Sequence, residues 1–138
     1  MSEEVCKVQY AYVLVKNQPG EGVKVLQALK DAGVNLLAFS GFPAAGARAQ
    51  IDLVTSDIQG LKWVAKSCRW KLSAVKKGFL VHGDDRIGAV ADIFGKLSAA
   101  KVNVVAADAV TAGMGRYGMI LWVKPASYAK AAKVLGAG

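Results

Sequence analysis

Histidine and cysteine are almost missing from this sequence: 138 residues hold one histidine, His82, and two cysteines, Cys6 and Cys68. A chain so poor in imidazole and thiol has little with which to build a zinc cluster or a nucleophile with its companion base. His82 therefore reads as a strand-end residue rather than a metal ligand, and the chain as non-catalytic, with no cofactor and no metal. The two cysteines lie far apart without CxxC spacing, which fits a reducing cytoplasm better than a disulfide scaffold. No stretch approaches eighteen uncharged apolar residues, so no membrane span is predicted. The acidic start, with Glu3 and Glu4, leads into no apolar h-region and argues against a signal peptide. Acidic residues are the scarcer charge, 10 against 18 Lys and Arg, for a net charge of +8. Such a balance suits an anionic partner without choosing one.

What is present is a folded α/β composition, 54% hydrophobic and 20% charged, and an internal repeat. Setting Gly20 on Gly88, a shift of 68, also pairs Val13 with Val81, Leu29 with Leu97, Ala32 with Ala100, Val34 with Val102, Asn35 with Asn103, Arg48 with Arg116 and Leu53 with Leu121. The identities spread over four expected elements, so a whole unit is duplicated.

Gln9–Val15 and Gly78–His82 are apolar runs that read as first strands. Two helices follow, with Val25, Leu26, Leu29 and Ala32 on the inner stripe of one and Val90, Ile93, Phe94, Leu97 and Ala100 on that of the other. Strands over Val34–Phe42 and Val102–Thr111 then turn through Gly-rich bends into Ala47–Thr55 and Arg116–Val123, two hairpins. The return helices are Asp57–Cys68, capped by Asp57 with Ile58, Leu61, Ala65 and Cys68 inward, and Pro125–Leu135, with Tyr128, Ala131, Ala132 and Leu135 inward. Trp70–Lys76 is expected to be the first unit's fourth strand. The fold class is α+β: two ferredoxin-like βαββαβ units in tandem, residues 1–77 and 78–138, with antiparallel sheets and helices on one face. The second unit lacks a fourth strand of its own. That leaves its first strand as an open edge, which predicts a homo-oligomer.

Asn17-Gln18-Pro19-Gly20 before the first helix and Ala32-Gly33-Val34-Asn35-Leu36 after it resemble the signature of the ACT domain, a small-ligand-binding regulatory module. Asp85-Arg86-Ile87-Gly88 and Ala100-Lys101-Val102-Asn103-Val104 hold the same places in the second unit. The resemblance covers nearly the whole chain as a tandem pair. It implies an amino acid bound at the loop between first strand and first helix, at a unit or subunit interface, in a homodimer. It also implies a partner enzyme regulated in trans. The candidate ligand-binding residues are Asn17, Gln18, Pro19, Gly20, Glu21, Asn35 and Leu36, with Asp84, Asp85, Arg86, Ile87, Gly88, Asn103 and Val104. A helix N-terminus offers free amides to a carboxylate, and Asn17, Asp84 or Asp85 could accept from an ammonium. Asn35 and Asn103 are expected beside that loop. The same residues also admit a plain structural reading, with Asn17 and Asp85 as helix caps and the glycines as turn formers. Pro19 gives way to Ile87 and Arg86 adds a charge, so the two loops are not expected to bind equally.

The competing reading is nucleic-acid binding. Gly115-Arg116-Tyr117-Gly118-Met119-Ile120-Leu121-Trp122 has a faint likeness to the third-strand motif of RNA-recognition domains, and Lys62, Lys66 and Arg69 share a helix face. The first unit's matching stretch, Ala47–Asp52, has no aromatic residue, which argues against it.

Overall fold

The computed structural model describes residues 3–138. Strands β1 (Glu4–Lys16), β2 (Ala38–Ala44), β3 (Arg48–Thr55), β4 (Lys76–Asp84), β5 (Val104–Gly113) and β6 (Arg116–Val123) alternate with helices α1 (Glu21–Asp31), α2 (Ile58–Ser67), α3 (Ala89–Ala99) and α4 (Tyr128–Leu135). The architecture is α+β with antiparallel hairpins, as the sequence predicts. Two compact units emerge: a continuous one, Gln9–Lys76, and a discontinuous one in which residues 3–8 join Lys77–Gly138. The long strand β1 is thus divided between them.

In the continuous unit β3 lies between β2 and β1, with Leu53 opposite both Phe39 and Ala11, and Ile51 opposite both Gly41 and Val13. In the discontinuous unit β6 lies between β4 and β5, with Leu121 opposite Phe79 and Ala107. Alternate residues of each strand face the helices. The two cores follow the 68-residue shift: Ala11, Val13, Val25, Leu29, Val34, Ile51 and Leu53 answer to Phe79, Val81, Ile93, Leu97, Val102, Met119 and Leu121. Each large side chain so buried contributes about 1.5–3 kcal/mol.

The sequence expectations fail at definite points. β1 begins at Glu4, not Gln9, because its first residues serve the other core, where Val5 packs with Phe79 and Val81. β2 begins at Ala38 rather than Val34, and Val34 is used in the turn that ends α1, its amide donating to the Leu29 carbonyl at 2.9 Å. Leu26, Ala32, Phe94 and Cys68, placed inward by periodicity, are exposed, since each helix buries a stripe narrower than its apolar content. Residues 70–75 form no strand. There the Ser73 hydroxyl accepts from the Tyr12 amide at 2.8 Å and the Ser73 amide donates to the Tyr12 carbonyl at 2.9 Å, so a side chain replaces a ladder bond. The edge of β4 expected to be open is also taken, because β1 is its hydrogen-bonded neighbour. Gly138 bridges to the same stretch, its amide donating to the Val5 carbonyl at 3.1 Å and its carbonyl accepting from the Lys7 amide at 3.0 Å.

Candidate functional site

Each unit presents a cleft where the bend before its first helix meets its hairpin. The first, of about 320 Å³, is lined by Val15, Lys16, Asn17, Gln18, Glu21 and Gly22 on one side and by Phe39, Gly41, Phe42, Pro43, Ala49 and Ile51 on the other. The second, of about 280 Å³, is lined by Asp85, Arg86, Gly88, Ala89, Val90, Ala91, Ala109, Val110, Thr111 and Tyr117. The shift that aligns the cores also sets Asn17 on Asp85, Gln18 on Arg86, Gly41 on Ala109, Phe42 on Val110, Pro43 on Thr111 and Ala49 on Tyr117. One shape has therefore been built twice and lined differently.

The bend is held the same way in both copies. The Asn17 amide donates to the Ala47 carbonyl at 3.0 Å, and the Asp85 amide donates to the Gly115 carbonyl at 2.8 Å. Gly20 and Gly88 then take left-handed φ values of 90° and 83° as the residues that open α1 and α3. Nothing lies within 4 Å of a Cβ added at either glycine. Backbone conformation rather than room requires glycine there. No side chain caps either helix, so Asn17 and Asp85 are not helix caps, and the first-turn amides lack a side-chain acceptor.

The two linings differ in how much polar capacity is already used. In the second, Arg116 donates to Asp84 at 2.7 Å, Arg86 to Asp92 at 2.6 Å and Thr111 to Asp85 at 3.0 Å. The Tyr117 hydroxyl donates to Glu3 at 2.6 Å, and burial, followed by that carboxylate, pushes its pKa well above the usual phenol value. Beside the first cleft the bend carries the helical ion pair of Lys24 with Glu21, at 2.9 Å. The opposite wall is apolar, with Phe39 and Phe42 exposed by 45% and 44%.

The structure thus gathers Asn17, Gln18 and Glu21 in one cleft and Asp85, Arg86 and Gly88 in the other, with Pro19 and Gly20 in the bend beside the first and Asp84 at the end of β4. Ile87 stands fully in solvent. Asn35, Leu36, Asn103 and Val104 are not beside these bends. They line separate clefts at the far ends of α1 and α3, about 16 Å along helices of eleven residues. There the buried Thr55 hydroxyl donates to the Asn35 carbonyl at 2.8 Å. Sequence reasoning missed Phe39, Phe42, Pro43, Thr111 and Tyr117, although carrying the shift through the hairpins would have found them.

Neither the protein-family models nor the curated proteins include a match to this sequence. Solved structures do match. A protein from Bacteroides thetaiotaomicron superposes with a TM-score of 0.72 at 20% identity, covering 97% of this chain and 88% of that one. The regulatory subunit of aspartate kinase from Thermus flavus superposes with a TM-score of 0.63 at 18% identity, covering 99% of this chain and 95% of that one. The chain has the fold of an aspartate kinase regulatory subunit. The ligand-free subunit from Thermus thermophilus agrees, with a TM-score of 0.64 at 18% identity and the same coverages. At these identities the likeness is one of fold.

Among the described residues no three His, Cys, Asp or Glu side chains gather as a metal site, and no helix is long and apolar enough to cross a membrane. His82 is exposed, its Nδ1 4.0 Å from Glu4. Tyr117 and Trp122, the rings a nucleic-acid reading would stack on bases, are both buried.

Proposed function

We propose that this chain is a non-catalytic, cytoplasmic regulatory module, a tandem ACT-like pair of units lying at about residues 1–77 and 78–138, that binds an amino acid with an apolar side chain in the cleft of the continuous unit. The observation that carries the reading is the pairing of an uncapped helix N-terminus with an apolar hairpin wall across one small cleft. A ligand carboxylate would take the first-turn amides of α1, where the helix dipole favours negative charge. Asn17 and Gln18 would receive the ammonium, and Phe39 the side chain. The discontinuous unit's cleft, whose carboxylates and cations already engage one another, would bind weakly or not at all. The fold shared with aspartate kinase regulatory subunits supports a role in adjusting a separate enzyme in trans.

The cleft opens along β2, which pairs with β3 on one side and forms the outer strand of its unit. A second copy paired along that strand would cover Phe39 and Phe42, so a homodimer with the site at the subunit interface is part of the proposal. Thermal-shift titration with the twenty amino acids tests the binding, because a ligand of the native state raises the midpoint by mass action. Leu, Ile, Val, Met or Phe should raise it, and Phe39→Ser should remove the response. A flat profile at millimolar ligand overturns the reading. Light scattering checks the dimer.

A further inference from the structure

The chain carries no Asp or Glu from Ile58 to Gly83. Within the continuous unit this stretch contains α2 and the turn after it. α2 buries Ile58, Leu61, Val64 and Ala65, which leaves Lys62, Trp63 and Lys66 on its solvent side. Arg69, at a φ of 59°, reverses the chain so that Arg69 and Lys71 follow as further exposed cations. Among the described residues Lys62, Lys66, Arg69 and Lys71 form no ion pair, whereas Lys24, Arg86 and Arg116 all have carboxylate partners. In their midst Trp63 is 65% exposed. An exposed indole ringed by cations is the composition of an interface anchor, since Trp and Arg dominate binding energy at protein contacts.

We propose that this face of α2 docks an acidic segment of a partner protein, with Trp63 as anchor and Lys62, Lys66, Arg69 and Lys71 as its charge complement. Lys62 and Lys66, four residues apart on α2, lie about 6 Å apart along the helix axis. That span matches carboxylates spaced four residues apart on a facing helix. Nucleic acid fits less well. Four phosphate contacts give weak binding at physiological salt, and the sheet face that would stack bases sets Tyr12 against the buried carboxylate of Asp52. No residue of α2 lines the first cleft. The docking proposal and the ligand proposal therefore fail separately.

The test uses the full chain and three labelled probes: a Glu-Ala repeat peptide, single-stranded DNA of equal charge and phosphatidylserine vesicles. The paired reversal Lys62→Glu with Lys66→Glu should weaken peptide binding about tenfold or more, and Trp63→Ala about threefold or more, with the indole emission shifting on binding. The control reversal Lys7→Glu with Lys124→Glu changes net charge equally at exposed sites and should cost less than about twofold. All five positions are exposed, and circular dichroism verifies folding of each variant. Equal losses from both reversals would mean that net charge alone acts, and no peptide binding, or tighter Trp63-dependent binding of DNA or vesicles, would equally overturn the proposal.

Discussion

Gly60 and Gly95 both sit inside helices, where exchange of glycine for alanine ordinarily stabilises by up to about 1 kcal/mol. Their surroundings differ. A Cβ at Gly95 meets nothing within 4 Å, whereas one at Gly60 runs into the Asp57 carboxylate, lying 2.8 Å from its Cγ. That carboxylate caps α2 by accepting from the Gly60 amide at 2.9 Å, a bond worth about 1 kcal/mol. Gly95→Ala should therefore raise the thermal midpoint by about 3–4 °C for a chain of this length. In Gly60→Ala the propensity gain and the lost cap offset each other, and the midpoint should stay level or fall. Asp57→Ala alone should cost about 1 kcal/mol, and Gly60→Ala placed on that background should recover its ordinary gain. Calorimetry of the four members of this cycle, with Gly95→Ala alongside, reads the coupling directly. Equal stabilisation by Gly60→Ala and Gly95→Ala in the parent background would refute the capping geometry.

Leu61→Ala, which empties a fully buried site in the continuous core, should cost about 2–5 kcal/mol in chemical denaturation, while Trp63→Ala two residues on should cost less than about 0.5 kcal/mol. Gly83→Ala would place a Cβ 2.7 Å from the Tyr117 ring and 2.8 Å from Glu3 Cγ, so it should cost about 1–3 kcal/mol and disturb the Glu3 to Tyr117 bond, readable in the tyrosine fluorescence. Burial, then the charge of Asp52 and then Tyr12, pushes the Tyr10 phenol up to about 12. A phenol with a raised folded pKa contributes stability that is whole below pH ~10 and fades as pH climbs towards ~12. After allowance for solvent screening the effect is about 1 kcal/mol, and Tyr10→Phe should remove that part of the alkaline loss in a phenolate absorbance and stability titration.

The repeat made most of the architecture legible. Residues that recur at a shift of 68 are those that must fill the same sites in two cores, so Leu29 with Leu97 and Leu53 with Leu121 mark core positions in the sequence alone. The bends were legible too, because Gly20 and Gly88 answer to one backbone angle. Where tertiary context decides, pattern failed. Nothing in Trp70–Lys76 signals that the Ser73 hydroxyl will stand in for a ladder acceptor, and the apolar periodicity of Leu26 and Phe94 does not say that the stripe stops short of them. Asn35 and Asn103 follow their helices in sequence, which places them a helix length away from the bends they were expected to flank.

Gly138 ties itself to the first strand, and that ordering has a kinetic consequence. Gln9 meets Thr55 within the early part of the chain, but Lys7 waits for Gly138. Closing the longer connection costs about 1 kcal/mol more in chain entropy than closing the shorter. On a ribosome that emits residues in order, the 9–76 body can consolidate while residues 3–8 wait unpaired, so the discontinuous unit can shut only once residue 138 has emerged.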